Sequence, residues 1–226
     1  MNGTDDRSAQ ARKAILARIR GARSATRTAV PQGRRADTAV WHARHGAAPR
    51  PTVGDDLVAH FEAQALRMMC TVERVAGLGD CPPAIARWLG ETGLGAQAVC
   101  WPELGGLDWP AAGLAVEARA PTGDDLVGIT GAFAAIAETG TLLLLSGPQT
   151  PASTHLLPET HVAIVPASRV VAHYEDGFAL MRSERGQPPR AMNLVSGPSR
   201  TADIEQTLVL GAHGPYRVHV LIVEGA

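Results

Sequence analysis

Ala137-Glu-Thr-Gly-Thr-Leu-Leu-Leu-Leu145 is the stretch that decides the fold. Four consecutive leucines behind a Gly-centred turn predict a central strand covered on both faces. Gly140 permits a positive φ or a close approach, so the chain can turn tightly there. Upstream, Ala132 to Ala137 reads as a short helix, which places Glu138 where a helix runs into a strand. Downstream, Val162 to Val165 before Pro166, Ala191 to Val195 and Val218 to Val223 read as further strands. A helix is predicted near His173 to Arg182. In the first half, Gln97 to Trp101 and Leu114 to Glu117 are short strands, and Thr71 to Val75 is another. Asp80-Cys-Pro-Pro opens a helix through Leu89, since proline is tolerated in a first turn. Strands alternating with helices predict an α/β sheet with helices on both faces.

The N-terminal part reads differently. Ala11, Ile15, Ile19 and Ala22 form a narrow apolar stripe on a helix from Ser8 to Arg23, capped by Asp5, Asp6 and Ser8. Residues 24–54 lose periodicity and hold Pro31, Pro49 and Pro51, as a linker or extended arm does. A second helix starts near Asp55 with Leu57, Phe61, Ala65, Met68 and Val72 on its buried side. The expected division is therefore an arm over 1–54 and a domain over 55–226. Residues 1–50 carry 11 Lys+Arg against 3 Asp+Glu, leaving 10 against 19 for the remainder. A basic arm on an acidic body suits docking on its own domain or on a sister subunit, as in a homo-oligomer. Without aromatic interleaving, nucleic acid is a poor match for it.

At 226 residues, with 45% apolar and 4% aromatic side chains, the core must be built from Ala, Val, Leu and Ile. No run reaches the ~18–20 apolar residues of a membrane span, and the polar N-terminus lacks the apolar centre of a secretory signal. A cytoplasmic location is expected. Cys70, Cys81 and Cys100 are widely spaced and odd in number, which argues against a disulfide framework and against a resident iron–sulfur cluster. The histidines, including His42 and His45, give no metal-ligand spacing, so no metal and no cofactor are expected.

Three elements could carry chemistry. Glu138, with Thr139, Gly140 and Thr141, offers a carboxylate beside hydroxyls. A partly desolvated carboxylate can serve as a general base, or it can pair with an arginine and organise the turn. The second element is Ser196-Gly-Pro-Ser-Arg-Thr-Ala-Asp-Ile-Glu205. Its strand–Gly turn–helix pattern, with the helix starting near Thr201, would aim backbone N–H groups at an anion. Ser196, Gly197, Ser199, Arg200 and Thr201 would line that cradle. The same residue types also serve helix capping, with Asp203 and Glu205 favouring the dipole. The third is Gly211-Ala-His-Gly-Pro215, where His213 could move protons near neutral pH or simply fix a turn. The candidate acid–base set is Glu138, Asp203, Glu205 and His213.

Taken in order, Gly128-Ile-Thr-Gly-Ala-Phe-Ala-Ala-Ile-Ala-Glu-Thr-Gly-Thr141, Leu157-Pro158, Ser196 to Glu205 and Gly211 to Pro215 resemble the LUD-domain family, in particular its lactate-utilization C members. The resemblance covers about the last 100 residues. It implies a Rossmann-like α/β sheet of the sugar-phosphate isomerase and CoA-transferase group. It also implies a place in a three-protein system oxidising L-lactate to pyruvate, whose other members carry the iron–sulfur ligands. On that footing this chain is an accessory subunit binding a small anionic ligand or a partner at the paired turns. The alternative is an independent enzyme on a phosphorylated or acyl substrate.

Overall fold

In a computed structural model, residues 3–25, 40–41, 44, 49–201 and 209–225 are described. The chain divides into two compact units, Met1–Arg50 and Pro51–Ala226. The first contains helix α1 (Gly3–Ala25), on which Ile15, Leu16 and Ile19 are exposed.

The second unit opens with α2 (Leu57–Arg67). The Asp56 carboxylate caps it by accepting from the Ala59 amide at 2.9 Å. Strand β1 (Thr71–Val75) follows, then α3 (Cys81–Glu91) with two prolines in its first turn. Next come β2 (Gln97–Cys100), β3 (Ala115–Glu117), β4 (Val127–Gly131), β5 (Ala134–Ile136) and β6 (Thr141–Leu145). A single helical turn, α4 (Ser153–Leu156), precedes β7 (Thr160–Pro166) and β8 (Val170–Val171). The last elements are α5 (Tyr174–Arg185), β9 (Met192–Val195), β10 (Arg200–Thr201), β11 (Val209–Leu210) and β12 (Arg217–Val223).

The central sheet has six parallel strands in the order β1-β12-β7-β4-β2-β3. Its middle strands are mostly apolar because both faces are buried, with Thr130, His161 and His219 as buried exceptions. On β7, Val162 and Ile164 face α3, whereas Ala163 and Val165 face α2. On β12, Leu221 and Val223 take the first face, and Val218, Val220 and Ile222 the second. Ile85, Trp88 and Leu89 of α3 cover the first face; Phe61 and Ala65 of α2 join the second.

The second face is also covered by a second sheet, β8-β5-β6-β9, which the sequence pattern did not foretell. Leu142 and Leu144 of β6 point at the central sheet, and Leu143 and Leu145 point outward at Met181 of α5. The four leucines thus form a central strand buried on both faces, as expected, within a mixed sheet whose β5/β6 and β6/β9 pairs are antiparallel.

One predicted helix is corrected. Ala132 to Ala137 is not a helix. Ala134–Ile136 pairs with β6 on one side and β8 on the other, so strand pairing overrides alanine's helix propensity. Arg200–Thr201 pairs antiparallel with Val209–Leu210, and residues 202–208, on which the helix expected from near Thr201 would fall, lie outside the described residues. Val72, assigned to the second helix's stripe, lies in β1.

Candidate functional site

The two Gly turns meet. Glu138, Thr139 and Gly140 form the turn between β5 and β6, and Ser196 and Gly197 follow β9. Because β6 and β9 are neighbours, the two turns share one end of the second sheet. The fully buried Thr141 hydroxyl lies 2.6 Å from Ser196 Oγ, 2.7 Å from Thr139 Oγ1 and 2.9 Å from the Tyr174 hydroxyl. Thr139 Oγ1 also donates to the Tyr174 hydroxyl at 3.0 Å. These four hydroxyls tie the hairpin, β9 and the start of α5 into one polar knot.

Both glycines face the C-terminal end of α2. Gly140 has φ 66° and Gly197 has φ 85°. A Cβ at 140 would strike the Ala65 amide and lie 2.8 Å from its Cα, and a Cβ at 197 would strike the Met68 carbonyl oxygen. Each turn therefore needs glycine for conformation and for room.

Glu138 pairs with His173, not with an arginine: His173 Nδ1 lies 2.9 Å from Glu138 Oε2, and both side chains are mostly buried. The Glu138 amide donates to the Ala172 carbonyl at 3.0 Å. Such a pair can hold and pass a proton at the edge of the hydroxyl knot. Sequence reasoning missed His173 and Tyr174 as site residues. Their place at a helix start, where capping groups are expected, hid them.

The remaining candidates disperse. The Ser199 amide donates to the Pro215 carbonyl at 2.8 Å, and the Ser199 carbonyl accepts from Gly211 at 2.9 Å. That N–H is committed to the backbone, and Thr201 lies in a strand. Arg200 reaches the Met68 and Met69 sulfurs, each at 3.8 Å. His213 lines a separate hollow of about 490 Å³ with Leu156, Glu159, Leu210 and Tyr216. Asp203 and Glu205 lie outside the described residues, as do His42 and His45.

The three cysteines are buried thiols. Burial pushes Cys70 and Cys81 up to about 12 and Cys100 to about 11. Cys70 belongs to one core face, and Cys81 and Cys100 belong to the other. Among the described residues, no group of three or more His, Cys, Asp or Glu side chains is arranged to hold a metal. No described helix is long and apolar enough to cross a membrane.

A larger cavity of about 560 Å³ opens elsewhere, lined by Trp101, Glu103, Phe133, Leu145, Arg169 and Arg185 among others. It lies at the Leu145 end of β6, whereas the hydroxyl knot lies at the Thr141 end. Four strand steps separate them, about 13 Å.

Comparison with known proteins agrees with this architecture. A DUF162 family protein from Deinococcus radiodurans, known from its crystal structure, superposes with a TM-score of 0.53 at 23% identity, covering 76% of this chain and 99% of that one. That likeness concerns the fold. Lactate utilization protein C of Bacillus subtilis is 36% identical over 128 residues, which is 51% of this chain and 53% of the relative. The protein of the same name from Halalkalibacterium halodurans is 41% identical over 101 residues, 43% of this chain and 44% of the relative. The chain thus matches about half the length of these curated relatives. The LUD domain matches residues 84–223, which include both Gly turns, Tyr174 and His213. The chain belongs to the LUD-domain family.

Proposed function

We propose that this chain serves lactate utilization, as a component acting beside iron–sulfur proteins in the oxidation of L-lactate to pyruvate. In this reading the paired turns bind a small carboxylate or a partner's acidic group. Thr139 and Ser196 supply hydroxyl donors, and the Glu138–His173 pair holds a proton nearby. The observation that carries the reading is the family match across 84–223, joined to relatives named for lactate utilization.

Lactate oxidation removes two electrons, which need an acceptor. Three cysteines split between two core faces do not make the four-thiolate set of an iron–sulfur cluster, which agrees with an acceptor held in other chains.

The test is an assay of L-lactate with an artificial electron acceptor. We expect no turnover by the purified chain alone, and turnover in the assembly that it forms with iron–sulfur proteins from cells grown on lactate. Robust turnover by the chain alone would contradict the accessory role. An assembly whose activity is unaffected by removing this chain would contradict it equally.

A further inference from the structure

The 560 Å³ cavity sits where the central sheet changes direction. From β2 the chain moves outward to β3, and from β4 it moves the other way, through the second sheet, to β7. The strands β2 and β4 are neighbours and parallel, so their carboxyl ends open a crevice between diverging connections. In open α/β sheets such a crevice is where ligands bind. Trp101 and Glu103 enter it from the end of β2, and Ala132 and Phe133 from the end of β4.

Its polar groups are held in place. The Arg169 guanidinium makes two bonds to Glu184, at 2.5 and 2.9 Å, and lies 5.0 Å from the Phe133 ring centre. The Arg185 guanidinium lies 5.9 Å from the same centre. Among the described residues, no carboxylate lies within ion-pair distance of Arg185. Glu103 Oε1 rests so close to the backbone of β4 that a Cβ at Gly131 would collide with it. The cavity thus sets two guanidiniums, stacked by one aromatic ring, in the same hollow as an exposed carboxylate and apolar walls from Phe133 and Leu145.

We propose that this cavity binds an organic phosphate of about mononucleotide size. A guanidinium matches the phosphate, with Arg185 as the principal contact and Arg169, whose charge Glu184 already meets, bordering it. Glu103 accepts from hydroxyl groups on the ligand body, which lies against Phe133 and Leu145. A hollow of this volume is in the range of sites for drug-sized ligands and exceeds what lactate fills. The site is separate from the paired turns, and α5 joins the two: Tyr174 at its start belongs to the hydroxyl knot, and Arg185 at its end to the cavity.

The experiment is calorimetric titration of the full chain with AMP, ribose 5-phosphate and L-lactate. We expect saturable AMP binding with Kd below about 1 mM, weakened about tenfold or more in Arg185→Ala and weakened in Glu103→Gln. Thr139→Ala should bind AMP as the unaltered chain does, which separates this site from the paired turns. L-lactate should not compete. The proposal is overturned if neither phosphate binds at about 10 mM, or if Arg185→Ala binds AMP unchanged. It is also overturned if Thr139→Ala, rather than Arg185→Ala, removes AMP binding.

Discussion

Thr141 is fully buried and its hydroxyl has three partners, the full capacity of one donor and two lone pairs. Thr141→Val keeps the shape and removes that hub, leaving Ser196, Thr139 and Tyr174 to re-pair in a part-buried site. We expect a loss of about 1–3 kcal/mol of stability in urea unfolding. Tyr174→Phe, which removes one partner and spares the Thr141–Ser196 bond, should cost less. Equal effects would show that the knot does not centre on Thr141. Gly140 is less forgiving, because its positive φ and the Ala65 backbone both oppose a Cβ. Gly140→Ala should destabilise by more than about 2 kcal/mol, with the loss read as a lower denaturation midpoint at constant slope. That these residues matter was legible in the sequence, since Glu138 to Thr141 and Ser196 to Gly197 stand out as Gly turns with hydroxyls. Their partners were not legible. His173 and Tyr174 lie 35 and 33 residues from Glu138 and Thr141, and no local pattern reports a contact across that separation.

At the scale of elements, five of the six strands of the central sheet could be read, the innermost because burial on both faces favours apolar runs. Val162 to Val165 is such a run, and Val218 to Val223 is one apart from the buried His219. Strand β4, Val-Gly-Ile-Thr-Gly, was missed because glycines and a threonine interrupt its run. The hairpin β5/β6 could not be read, because its first strand is Ala-Ala-Ile within an alanine-rich segment whose local propensity favours helix. Pairing on both sides decides the matter there, and pairing is not a local property. Histidines on these elements predict the response to acid. His161 on β7 lies 2.8 Å from Thr130 Oγ1, and burial lowers it to about 3, with His155 adding a smaller push in the same direction. Burial lowers His155 on α4 and His219 on β12 to about 4 each. His219 stacks on Trp88 with ring centres 4.4 Å apart. Each histidine is therefore neutral when folded and protonates more readily when unfolded, at about 6.5. The unfolded chain binds more protons below that pH, so this contribution is complete above about 6.5 and is lost as pH falls towards 4. Urea unfolding should lose more than about 3 kcal/mol between pH 7 and pH 4, and His219→Gln should flatten part of the slope. A stability independent of pH over that window would mean the rings are not buried as neutral groups.

For the whole molecule, the layering sets two separate sites at opposite ends of one strand. The hydroxyl knot lies at the Thr141 end of β6 and the switch-point cavity at the Leu145 end, with the sheet's core between the outer helices α3 and α5. The sequence pointed to the first through its turns and was silent on the second. Trp101, Glu103, Phe133, Arg169 and Arg185 are scattered along the chain and gather only because β2 and β4 are neighbours with diverging connections. Family membership joins this architecture to relatives named for lactate utilization. The most direct test of that role is growth on L-lactate as sole carbon source after deletion of the gene in its natural host. We predict that growth on L-lactate is lost and is restored by the full chain, while growth on glucose is unchanged. Undiminished growth on L-lactate without the gene would contradict a role in lactate utilization.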